Sequence, residues 1–157
     1  MADISRTASF GKLSPIAYKA MEGATVFCKL RGNPFVELQH WLQQILNAPD
    51  SDLTRIVKHY ELDTAALATA LTNALDRLPR GAASISDISS FVDSAVERGW
   101  VYGSLMFGER QVRTGHLLVV HEAIQAAGFG AEIAATAAEA TGCRVRRLGA
   151  PRIPVGY

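Results

Sequence analysis

An all-α fold of two pseudo-repeated four-helix units is expected from three features of the sequence. Apolar residues recur at three- and four-residue spacing, the helical period. Helix caps and breakers separate these stretches at short intervals. The pattern then returns at a nearly constant spacing. Ala20-Met21-Glu22 aligns with Ala95-Val96-Glu97. One inserted residue later, Gly32, Val36, His40 and Leu42 align with Gly108, Val112, His116 and Leu118, each 76 positions on. Agreement of break, histidine and leucine in one register points to duplication, with each half burying its stripes against its own helices and the other half.

The elements follow in order. Ser14-Pro15 is an N-cap with proline at the first helical position, where a missing N–H costs nothing. Ile16, Ala17, Ala20, Met21, Ala24, Phe27 and Cys28 continue that helix to about Leu30, and Gly32-Asn33-Pro34 stops it. A second helix carries Val36, Leu38, Trp41, Leu42, Ile45 and Leu46 up to the break at Asn47-Ala48-Pro49-Asp50. Ser51 or Asp52 caps a short third helix with Leu53, Ile56 and Val57. Asp63 caps a fourth with Leu67, Leu71, Leu75 and Leu78, closed by Pro79-Arg80-Gly81.

The second unit opens with Ser84 or Ser86 as N-cap, then the stripe Ile88, Phe91, Val92, Ala95 and Val96. Residues 111–120 read as helix, although three valines and Gly115 count against it. These boundaries give a domain over 1–120, with repeats at 13–79 and 84–120, and an atypical tail over 121–157. The tail is expected to be helical through its alanine-rich part, then extended or disordered. Leu117 to Val120 also reads as a buried strand, so strand, turn, helix, strand is an alternative for the tail.

Composition excludes several classes. The 157 residues are 48% hydrophobic and 20% charged with a net charge of +1, so no strong field draws nucleic acid or an acidic membrane. No apolar run is long enough to span a bilayer, and Met1-Ala2-Asp3-Ile4-Ser5-Arg6 lacks a secretory pattern. Cys28 and Cys143 make no disulfide framework. A cytoplasmic location is expected.

The search for chemistry returns little. No Gly-x-x-x-x-Gly-Lys-Ser/Thr loop is present, so ATPase modules lie outside this chain. His121-Glu122 begins like a zinc-protease motif, but Gln125 stands where the second histidine belongs, so no metal site is expected. His40 and His116 sit at repeat-equivalent positions on leucine-rich helices and read as hydrogen-bonded structural histidines. Gly128-Phe129-Gly130 reads as a turn. Arg144, Arg146, Arg147 and Arg152 lack the aromatic interleaving of a nucleic-acid patch. No cofactor and no catalysis are expected.

Three strings carry a family resemblance: residues 10–20 (Phe10-Gly11-Lys12-Leu13-Ser14-Pro15 onward), residues 24–34 ending Lys29-Leu30-Arg31-Gly32-Asn33-Pro34, and Asp76-Arg77-Leu78-Pro79-Arg80-Gly81. A fourth, Glu97-Arg98-Gly99-Trp100-Val101-Tyr102-Gly103-Ser104-Leu105-Met106-Phe107-Gly108-Glu109, is the strongest. Over about residues 4–119 the chain resembles the N-terminal domain of the ClpV family, the AAA+ unfoldases of type VI secretion. The resemblance implies a non-catalytic recognition domain. It implies binding of the N-terminal helix of the contractile sheath's large subunit in an apolar groove beside the first helix of the first repeat. Ile4, Phe10, Leu13, Ala17, Ala20 and Ala24 are the candidate groove residues, each weighed against service in the core. Family rings are hexameric through their ATPase modules, so this chain alone is expected to be monomeric.

From Leu117 on the sequence departs. Leu117-Leu118-Val119-Val120-His121-Glu122-Ala123, residues 128–134 and Arg146-Arg147-Leu148-Gly149-Ala150-Pro151 resemble the C-terminal domain of a 2-oxoacid dehydrogenase beta subunit. The stretch is too short to build that domain's sheet. A fragment of a thiamine-dependent dehydrogenase is therefore an alternative reading, as is a generic helical interaction domain with a changed partner. The two resemblances meet at Thr114-Gly115-His116-Leu117-Leu118-Val119.

Overall fold

The computed structural model describes residues 5–118, which belong to one unit. The expectations for the tail, for Cys143 and for the dehydrogenase-like segment beyond Leu118 lie outside the described residues. The fold is all-α apart from short parallel backbone pairings.

A five-residue helix, α1 (Arg6–Phe10), comes first and has no counterpart among the expected elements. Then α2 (Pro15–Arg31) runs between the caps read from sequence. Ser14 Oγ accepts the Ala17 N–H, and Gly32 ends the helix at φ 68°. That left-handed value suits a residue without Cβ. Next come β1 (Phe35–Val36) and α3 (Leu38–Asn47). Ser51 Oγ caps α4 (Asp52–His59), and Asp63 caps α5 (Thr64–Asp76) by accepting from Ala65 and Ala66. After β2 (Asp87–Ile88), α6 (Ser90–Phe107) starts at Ser89 rather than at Ser84 or Ser86. The intervening residues are spent on pairing with β1. α7 (Thr114–Leu118) closes the described chain, and Leu117 and Leu118 lie in helix rather than in a strand.

The two helices that open the proposed repeats bury matching positions. α2 buries Ala17, Ala20, Met21, Ala24 and Cys28. In the same order and at the same spacing, α6 buries Val92, Ala95, Val96, Gly99 and Gly103. Both end on a left-handed glycine, Gly32 and Gly108, at φ 68° and 67°. The one residue inserted between the repeats is absorbed in the last turn of α6. There Gly108 N–H reaches Gly103 O as well as Ser104 O, a widening that admits one more residue.

The halves interlock by crossed pairings. Val36 pairs with Ile88 in the β1–β2 ladder. Leu13 pairs with Val112 through Ser14 N–H to Val112 O (2.9 Å) and Val112 N–H to Lys12 O (2.7 Å). The segment before one helix thus pairs with the segment after the other, in both directions. Leu13, Val36 and Val112 are all buried, and one core runs through α2, α3, α4 and α6.

Candidate functional site

α2 is the element around which the expected groove residues gather. Its seat is fixed by α3. Trp41 is buried, and its Nε1–H donates to Ala17 O at 3.0 Å. Gly23 admits the Gln44 side chain, which would stand 3.0 Å from a Cβ placed there. His40 is also fully buried. It accepts the Glu37 N–H at Nδ1 (2.9 Å), so Nε2 carries the proton and donates to Asn33 Oδ1 at 2.9 Å. Asn33 Nδ2 donates in turn to Pro79 O at 2.6 Å. Burial and the nearby Arg31 charge hold the His40 pKa below its ordinary value. Both ring nitrogens are occupied, Nδ1 by backbone and Nε2 by the Asn33 side chain, which makes His40 a structural residue.

α1 is latched to α6. The Arg6 guanidinium donates to Asp93 from Nε (2.9 Å) and Nη2 (2.6 Å), and from Nη1 to Asp87 (2.6 Å). These partners raise the Arg6 pKa, and Arg6 in turn depresses that of Asp87. Lys12 Nζ stands 4.8 Å from the Trp100 ring centroid, a second tie on the same helix. The short N-terminal segment is thereby held along the domain surface.

Of the expected groove residues, Leu13, Ala17, Ala20 and Ala24 are buried in the core cluster. Phe10 is half-buried and packs against that cluster. Ile4 lies outside the described residues. The apolar side chains that α2 shows to solvent are different. Ile16, Val26 and Leu30 are exposed, Leu30 by 80%, with half-buried Phe27 beside them. At 100° per residue, Ile16, Val26, Phe27 and Leu30 lie on one side of the helix, outside the arc centred on Ala24; on that side α3 covers Gly23 with Gln44 and meets Phe27 with His40. Lys19 stands within this exposed strip, at the angle between Val26 and Leu30, Lys29 lies to one side, and neither takes part in an ion pair among the described residues. Sequence periodicity contained this signal. Ile16 to Leu30 is too wide an apolar arc for one buried face, and the excess had to point outward.

Nothing in the described residues favours bond-making chemistry. Cys28 is buried, and desolvation raises its thiol pKa, which suppresses the reactive thiolate. Among the described residues no group of three His, Cys, Asp or Glu is placed to hold a metal ion. No described helix is long and apolar enough to cross a membrane. The arrangement offers an exposed apolar strip on a rigid, well-seated helix.

Comparison with known proteins fits this geometry. No family model matches the chain. The AAA+ ATPase ClpV1 of Pseudomonas aeruginosa is 68% identical over 119 residues, which are 76% of this chain and 13% of that protein. The chain therefore spans about an eighth of the length of that curated relative. A solved structure described for the coevolution of the ATPase ClpV, the TssB–TssC sheath and the accessory HsiE protein has 68% identity and a TM-score of 0.71. The match covers 76% of this chain and 74% of that one. A ClpV N-domain in complex with a VipB peptide shares the fold, with a TM-score of 0.68 at 22% identity over 76% of this chain and 72% of that one. With two residues in three shared across three quarters of a solved ClpV structure, the chain belongs to the family of ClpV N-terminal domains.

Proposed function

We propose that this domain recognises the contractile sheath of type VI secretion for a ClpV unfoldase. It docks the N-terminal helix of the sheath's large subunit along α2. The domain contributes binding and no catalysis. ATP-driven threading belongs to ATPase modules outside this chain, which in the family also assemble the hexameric ring, so the chain alone is a monomer in the cytoplasm. Residues 13–79 and 84–120 act as the two repeats of a domain over 1–120, with an atypical tail over 121–157.

The observation that carries this reading is the exposed strip Ile16, Val26 and Leu30 on α2, in a fold whose structural neighbour was solved with a VipB peptide. An amphipathic ligand helix covers such a strip with its own apolar face. Ile4 and Phe10 border the ligand from the N-terminal segment. Leu13, Ala17, Ala20 and Ala24 act one layer down: their small or buried side chains seat α2 and so set the height of the strip.

Fluorescence polarisation with a labelled peptide from the sheath helix tests this. Saturable binding that Val26→Glu weakens at least tenfold is the expected result. A folded chain, checked by circular dichroism, that shows no saturable binding would overturn the proposal.

A further inference from the structure

The exposed strip on α2 has a counterpart on α6. In the register that aligns the two buried arcs, Ile16, Val26, Phe27 and Leu30 map to Phe91, Val101, Tyr102 and Leu105. The exposures repeat along with the residue types. Leu30 and Leu105 are 80% and 81% exposed, and Phe91, Val101 and Tyr102 also face solvent. The buried arcs of the two helices already match position for position, so the outward arcs are related by the same internal repeat.

Resting on the recognition reading above, we propose that α6 is a second docking face for the same class of ligand, an amphipathic helix with an acidic residue beside its apolar stripe. Phe91 and Leu105 stand fourteen positions apart, about 21 Å or four helical turns at about 1.5 Å per residue, which suits a short helix laid alongside. The charge of the face selects the occupant. Arg98, at the position equivalent to Gly23, lies mid-strip, is exposed, and is in no ion pair among the described residues. Lys19 and Lys29 play that part on α2. A carboxylate on the ligand's flank complements either face. A second copy of this chain does not, since it would set cationic strips against each other. Exposed apolar strips of this length are uncommon on domains that bind nothing.

The test is stoichiometry. Isothermal titration of the full chain with the sheath-helix peptide is expected to give two peptides per chain. Leu30→Glu and Leu105→Glu should each leave one, and the double variant none. Arg98→Glu should weaken the second site about tenfold. All of these positions are exposed, and an unchanged circular dichroism spectrum confirms that each variant folds. One peptide per chain, lost in Leu30→Glu and kept in Leu105→Glu, would overturn the second face and leave the recognition reading standing. No peptide bound at all would overturn both. Dimerisation of the free chain that Leu105→Glu abolishes would assign the face to a second copy and also overturn the proposal.

Discussion

α2 and α6 occupy equivalent places in the fold, yet each holds the helix that follows it differently. On its buried arc, α2 presents Ala24 and Cys28. At the same positions α6 presents Gly99 and Gly103. A Cβ on Gly99 would stand 3.1 Å from Val112 Cγ1, and one on Gly103 would stand 3.0 Å from His116 Nδ1. α7 therefore rides closer to its partner helix than a side chain would permit. The two histidines differ in the same sense. His40 uses both ring nitrogens at 2.9 Å. His116 is half-buried, accepts one longer bond from Arg113 N–H (3.3 Å), and stacks on Phe107 with centroids 6.5 Å apart. One repeat is fixed by a buried polar network. The other relies on close backbone approach and partly exposed bonds.

The largest effect expected from this contrast comes from deleting each ring. His40→Ala leaves Asn33 Oδ1 and the Glu37 N–H without partners and opens a cavity, so it should cost about 3 kcal/mol. His116→Ala removes one long bond and a partly exposed stack, and should cost about 1 kcal/mol. Urea unfolding of the two variants against wild type measures both. Equal losses would mean that the halves are held alike.

Acid should act through the same pair. The His40 pKa is lowered by burial and by Arg31, and that of His116 mainly by burial. The unfolded chain therefore takes up protons first as pH falls below about 6.5. The stability these rings contribute is complete above that value. It declines as pH drops from about 6.5 toward the folded pKa values. Unfolding midpoints at pH 7.5 and 5.5 should show this decline, and His40→Ala and His116→Ala should each flatten it.

Across the halves, Asp52 on α4 caps α7. It accepts from Gly115 N–H (3.1 Å) and from the Arg113 guanidinium, while Thr114 Oγ1 receives the Asp52 N–H at 2.9 Å. Arg113 is the largest cause of the lowered Asp52 pKa. Asp52→Asn keeps the shape and loses the charge, at a cost of about 1–2 kcal/mol for a partly buried carboxylate at a helix start. The difference between wild type and variant should start to shrink as pH falls through the ordinary carboxylate range and vanish only below the lowered folded pKa of Asp52, where the wild-type side chain is itself neutral.

What could be read from the chain beforehand follows from how local each determinant is. Ser14-Pro15, Ser51, Asp63 and Gly32 are caps whose partners lie within a few residues, and each stands where the sequence placed it. α1 could not be read that way. Five residues carry too little periodicity, and its latch, Arg6, finds its carboxylates more than eighty residues away. β1 and β2 are two residues each, below any alternating signal, and their pairing displaced the start of α6 to Ser89. The site was half legible. Helical spacing identified α2 as the bearer of apolar residues. Which of its two arcs faces inward depended on Trp41 of α3, a contact that no local pattern records.

The smallest expected effect separates the two N-caps. Ser14 Oγ accepts the Ala17 N–H at 3.4 Å, and removing it should cost about 0.5–1 kcal/mol. Ser89, its equivalent in the second repeat, makes no such bond, and its Oγ is buried without a partner. A buried hydroxyl left unpaired is a cost to the fold rather than a support. Ser89→Ala should therefore be neutral or slightly stabilising, with a melting temperature equal to or above that of wild type, while Ser14→Ala melts lower. A loss in Ser89→Ala matching that in Ser14→Ala would show that α6 is capped like α2, and the contrast between the two helices would then rest on their glycines and histidines alone.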